Sequence, residues 1–269
     1  MTPAVDPATL LRAGLLEGVS LLVGRAAPAP ADGGSADGFA DTVGAGCAAL
    51  GARVFTCVPE VEDELAMDEA VAAALADAGT LDMLVVDGAG LYAYARAYET
   101  DPAAAGHAGH LAGHAALAAG HAALAAGHAA HAAHAAGHAA LRACVDATWN
   151  LTRAFVNRAL LPASRGGAIV YVAPAVDAGA NADAAAGVPG ANADAGAGAH
   201  AARAALENLA RTLSVEWARH DVTVVTIAPG LGTAAGEVAA LAAYLASPAG
   251  AYFSGCRLDL GVALSSSSP

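Results

Sequence analysis

Six short apolar runs, each but the last followed by a stretch long enough for a helix, constrain this chain more than any other feature. They lie at 18–23 (GVSLLV), 53–58, 81–86, 168–172, 222–227 and 257–260. Apolar runs this short read as buried strands. The stretches between them, at 38–50, 68–78, about 142–161, 201–219 and 234–246, carry helical spacing. Strands that alternate with helices of this length predict an α/β fold, a doubly wound, Rossmann-like parallel sheet covered on both faces. Ligands of such sheets bind at the carboxyl ends of the strands.

Composition qualifies this reading. Of 269 residues, 81 are Ala and 31 Gly, so much of the 57% hydrophobic fraction is methyl groups that build little core. The length fits one domain carrying low-complexity insertions at about 25–37, 101–141 and 175–198. All 12 basic residues are Arg, which excludes Schiff-base, phosphate-loop and proton-relay lysines. A formal charge of −13 argues against nucleic acid as a partner. The stretch 102–141 lacks Asp, Glu and Arg, yet its eight His and six Gly make it too polar for a membrane span. The first residues, MTPAVDPATLLRAG, lack the features of a signal peptide, and the four Cys share no motif spacing. A cytoplasmic protein with reduced thiols is the expectation.

Several motifs together resemble the short-chain dehydrogenase/reductase family. HAARAALENLARTLSVEWARHDVTVVTIAPG is similar to that family's active-site helix, following strand and Pro-Gly turn. LDMLVVDGAG resembles its strand with the Asn-Asn-Ala-Gly turn, and WNLTRAF its helix motif centred on Asn. EVAALAAYLASPAGAYFSG with RLDLG resembles its last helix and strand, and GFADTVGAGCAALGARV the helix after its glycine loop. The resemblance implies NAD or NADP as cofactor and oxidoreduction of a small carbonyl or alcohol. It also implies a homodimer or homotetramer built on the helices around Asn150 and Arg203. A dinucleotide site would use Gly24, Gly38, Asp87, Gly88 and the Pro229-Gly230 turn.

The family's chemistry uses a Tyr acidified by a Lys four residues later, a Ser that holds the carbonyl, and an Asn that anchors a water relay. Carried over by position, the Asn falls on Asn150, the Tyr on Ala199, the Lys on Arg203, and the Ser on Ala173 or Pro174. Asn150 and Arg203 are the polar inheritors of the catalytic cluster. Alanine cannot donate a proton, and Arg keeps its charge without the tunable pKa of Lys. The glycine turn is split between Val23-Gly24 and Gly38-Phe39-Ala40, and the ribose-binding acid aligns with Val58. Only 22 residues, 59–80, lie between Val58 and Leu81, too few for the family's helix, strand and helix there. These losses together predict a chain that kept the fold and lost hydride chemistry, a pseudoenzyme. Tyr92, Tyr94, Tyr98, Tyr171 and His200 lie near the affected positions and read as packing or surface groups. Cys57 and Cys144 read as small buried residues rather than nucleophiles.

Eight of the ten His lie between His107 and His138, in heptads of the type GHAALAA. On a helix, His128, His131, His134 and His138 fall at i,i+3 and i,i+4 spacings, the pairs from which one helix can offer a divalent metal two ligands. Zinc, nickel or copper would suit such imidazoles. The alternative is a repeat expansion in which the histidines are incidental.

Overall fold

A computed structural model of the chain describes residues 6–27, 38–59, 63–100, 125–176 and 191–261, without the side chains of 98–100, 125–136 and 191–196. Short α1 (Pro7–Leu10) precedes β1 (Ser20–Gly24), α2 (Ala40–Ala49) and β2 (Arg53–Cys57). Next come α3 (Glu64–Ala78), β3 (Met83–Asp87), α4 (Gly88–Thr100) and α5 (Ala125–Phe155), which runs into a π turn at Val156–Leu160. β4 (Gly167–Val172), α6 (Ala191–Glu216), β5 (Val222–Pro229), α7 (Ala235–Ala246) and β6 (Arg257–Leu260) complete the order.

The six strands form one parallel sheet in the order β2-β1-β3-β4-β5-β6. The apolar runs therefore pair as expected, and alternate residues of the inner strands enter opposite cores. Leu22, Leu84, Val86, Ile169 and Tyr171 pack with α3, α4, α5 and α6. Leu21, Val23, Met83, Val85, Val170, Val172, Val225 and Ile227 pack with α2 and α7. The chain leaves β1 for β2 on one side and returns to β3 on the other. That reversal opens a crevice at the carboxyl ends of β1 and β3, where doubly wound sheets take ligands.

Four helices depart from the sequence expectation, each for a local reason. α3 starts at Glu64 rather than 68 because the Asp63 carboxylate caps it, accepting from Leu65 N–H and Ala66 N–H at 2.9 Å. α5 begins at Ala125 rather than about 142, and α6 at Ala191 rather than 201. The tract before 142, for which the sequence leaves helix or disorder open, is helical from Ala125, and the stretch from Ala191, read as a flexible loop, is helical too, as alanine's propensity allows. The Asp87-Gly88-Ala89-Gly90 segment, expected as a turn, is instead the end of β3 and the first residues of α4. Among the described residues, α3 alone joins β2 to β3, in keeping with the 22-residue spacing. No helix among them is long and apolar enough to cross a membrane.

Candidate functional site

At the crevice the dominant group is Asp87, a carboxyl at the end of a fully buried strand and itself 1% exposed. One oxygen, Oδ2, accepts from Phe39 N–H at 2.6 Å and Ala40 N–H at 2.9 Å, at the start of α2. The other, Oδ1, accepts from Gly90 N–H at 3.0 Å, in the first turn of α4. One side chain thus satisfies the orphan donors of two helix starts whose positive dipole ends favour an anion. Burial pushes the Asp87 pKa up, against the pull of these three N–H groups. The close approach explains two glycines. A Cβ on Gly38 would stand 2.5 Å from Asp87 Oδ2, and one on Gly90 would stand 2.8 Å from it. Sequence reasoning placed Gly38 and Asp87 here through the resemblance, but missed Phe39, Ala40 and Gly90 as their partners. The one local signal was an acid three residues before Gly90, the spacing of an N-cap.

The remaining glycines expected at a cofactor serve packing. Gly24 lies under the Leu151 side chain of α5. Gly88 is wedged against Leu206, where a Cβ would stand 2.6 Å from Leu206 Cδ1. Gly230 donates its N–H to Leu260 O at 2.9 Å and to Thr233 Oγ1 at 3.0 Å, tying the turn after Pro229 to β6. Val58 is exposed beyond the end of β2. Arg25, just past β1, pairs with Asp41 of α2 at 2.8 Å.

Of the positions that the resemblance matches to that family's catalytic cluster, Asn150 lies buried on α5, and Ala173 and Pro174 lie buried just past β4. Ala199 is buried on α6. Arg203, one turn further along α6, reaches the ends of β5 and β6. Its Nη1 donates to Pro229 O at 2.9 Å, and its Nη2 to Ala228 O at 3.3 Å and to the Asp259 carboxylate at 2.6 Å. Asp259 also accepts from Arg257, which pairs in turn with Glu207 at 2.9 Å. The planar guanidinium spreads these three contacts over two nitrogens in a fixed fork, a geometry that a single ammonium nitrogen does not reproduce. Arg203→Lys, although it restores the family's residue, is expected to cost about 1–2 kcal/mol in urea unfolding. An unchanged midpoint would show that the clasp contributes nothing.

Neither described tyrosine nearest the cluster presents a hydroxyl to the crevice. Tyr171 is fully buried, its hydroxyl 3.1 Å from Thr152 Oγ1, and burial pushes its pKa up. Tyr92 is 4% exposed in the core between α4, α5 and α6, its hydroxyl lodged against Gly198. Tyr94 and His200 are partly exposed, and the side chain of Tyr98 is outside the described residues. Cys144 is buried beside Gly88 O, and burial pushes its thiol and that of Cys57 up to about 12, which leaves almost no thiolate at neutral pH. His128, His131 and His134 lie on the described part of α5, but their side chains are outside the described residues, whereas His138 is exposed. Among the described residues no group of three or more His, Cys, Asp or Glu could hold a metal ion.

No protein-family model matches the chain, and no curated protein matches it in sequence. Solved structures do. A citronellol catabolism dehydrogenase of Pseudomonas aeruginosa is 22% identical, over 93% of this chain and 96% of its own, with a TM-score of 0.57. A short-chain dehydrogenase from Mycobacterium smegmatis is 20% identical over 91% and 93%, with a TM-score of 0.58. A hydroxysteroid dehydrogenase from Escherichia coli is 14% identical over 92% and 97%, with a TM-score of 0.54. At these identities the likeness is one of architecture, and by that measure the chain has the fold of the short-chain dehydrogenase/reductases.

Proposed function

We propose that this chain descends from NAD(P)-dependent short-chain dehydrogenase/reductases acting on a small carbonyl or alcohol, and has itself lost hydride transfer. The observation that carries this reading is the methyl group of Ala199, buried on α6 where the family's Tyr would give or take the proton. Three further features support it. Ala173 and Pro174 offer no hydroxyl to hold a carbonyl oxygen. Arg203 is committed to Pro229, Ala228 and Asp259 rather than to a ligand. Tyr92 and Tyr171, the described tyrosines nearest these positions, are packed in the core.

The crevice residues do not fit a nicotinamide dinucleotide in this arrangement, because Phe39 N–H and Ala40 N–H already hold Asp87. The role left to such a chain is that of a non-catalytic scaffold, a homodimer or homotetramer joined through α5 and α6. Trp149 on α5 and Val215 on α6 expose large apolar side chains that such contacts would cover.

The test is reduction of a panel of small ketones and aldehydes with NADH or NADPH by purified, tag-free protein. Turnover no faster than buffer is expected. A turnover number of about 1 s⁻¹ or more on any of them, the ordinary enzymatic range, would overturn the reading.

A further inference from the structure

We infer that Asp87 is a built-in anion that occupies the α2 helix start in place of a ligand's pyrophosphate, so that the crevice binds neither NAD(H) nor NADP(H). The inference rests on the descent proposed above, but it concerns binding, not turnover. Where a doubly wound sheet holds a dinucleotide, the pyrophosphate sits at the N-terminus of the helix that follows the first strand. Here that helix is α2, and the N–H groups of Phe39, its N-cap residue, and Ala40, its first residue, donate to Asp87 Oδ2. An arriving pyrophosphate would compete with a buried carboxylate for the same donors.

Two further observations agree. Among the described residues nearby, the Arg25 guanidinium is taken up by Asp41, whose own negative charge acts on Asp87. Gly38 and Gly90 leave room for the carboxylate itself, because a Cβ on either would strike Oδ2.

The choice of Asp over Asn decides the chemistry. The carboxylate has two acceptor oxygens, one for each helix start. An amide has one. With its oxygen turned to Gly90 N–H, an Asn at 87 would aim its NH2 group at the α2 start. Phe39 N–H, Ala40 N–H and the amide would then form a cluster of donors suited to a phosphate. The family turn that this segment resembles begins with Asn at this position.

The experiment titrates wild type and Asp87→Asn, as full chains, with NADH and with NADPH by calorimetry. Wild type should show no saturable heat up to about 1 mM of either, and D87N should bind at least about tenfold more tightly than wild type. Saturable wild-type binding below about 100 μM, or a folded D87N that binds no better than wild type, would overturn the inference. Should D87N fail to fold, hydrogen exchange on wild type decides. The Phe39 and Ala40 amides should be protected without ligand and unchanged by NADH. Fast exchange that slows on adding NADH would overturn it. Wild-type binding without turnover sinks this inference alone, whereas ketone reduction sinks the proposed function as well.

Discussion

Asp87→Ala should lower the stability of the folded chain by about 3 kcal/mol, roughly 1 kcal/mol for each of three N–H groups left without an acceptor. The variant removes two helix caps in one step, because Oδ2 serves the start of α2 and Oδ1 the start of α4. Relief of the cost of burying a carboxylate works in the other direction and keeps the figure below the sum of the largest cap effects. For a chain of this size each kcal/mol moves the melting temperature by about 2–4 °C, so a fall of roughly 6–12 °C is expected in thermal unfolding. The damage should also be local. The amides of Phe39, Ala40 and Gly90 should lose protection against exchange, while the middle of β4 keeps its own. A loss under about 1 kcal/mol would mean that other acceptors meet these donors and that Asp87 is incidental. A larger loss spread evenly over the sheet would mean that the residue supports the whole core rather than two helix starts.

That dual cap also marks where the sequence stops being legible. The strands were readable because a parallel sheet buries both faces, and six apolar runs separated by helix-length segments admit few other folds. Val222–Pro229 and Arg257–Leu260 fall where their patterns put them. Four of the helices, α3, α4, α5 and α6, start elsewhere than the pattern puts them. Asp87-Gly88-Ala89-Gly90 resembles a turn, yet the chain is helix from Gly88 because Asp87 fixes the first turn of α4. The stretch from Ala191 reads as low-complexity loop, but alanine needs no specific partner to stay helical. Site residues were legible only as positions. The resemblance puts Asp87 and Gly38 near one cofactor site, but the bond between Asp87 and Phe39 spans 48 residues, and no periodicity encodes such a contact. Arg203 shows the same limit. Its position in α6 was readable, whereas its commitment to Pro229 and Asp259 depends on how β5 and β6 end.

Tyr171→Ala should cost about 3–5 kcal/mol, the range for emptying a large aromatic site in a close-packed core. Tyr171 is fully buried on β4 and packs in the core formed with α3, α4, α5 and α6, so its neighbours are held by the sheet and cannot readily close the cavity. Its one polar contact among the described residues, to Thr152 Oγ1, is inside the core, as for a packing tyrosine. Tyr171→Phe keeps the ring and loses only this contact. It should cost about 1 kcal/mol, because Thr152 keeps a hydroxyl that has lost a partner. The ratio of the two losses, read from urea unfolding, is therefore the informative quantity. If Y171F were as damaging as Y171A, the hydroxyl rather than the ring would be the stabilising group. If Y171F left stability untouched but changed the affinity for a small carbonyl compound, the hydroxyl would be facing ligand. That second result would return a proton donor to the crevice beside Ala173 and would reopen the catalytic reading that Ala199 closes.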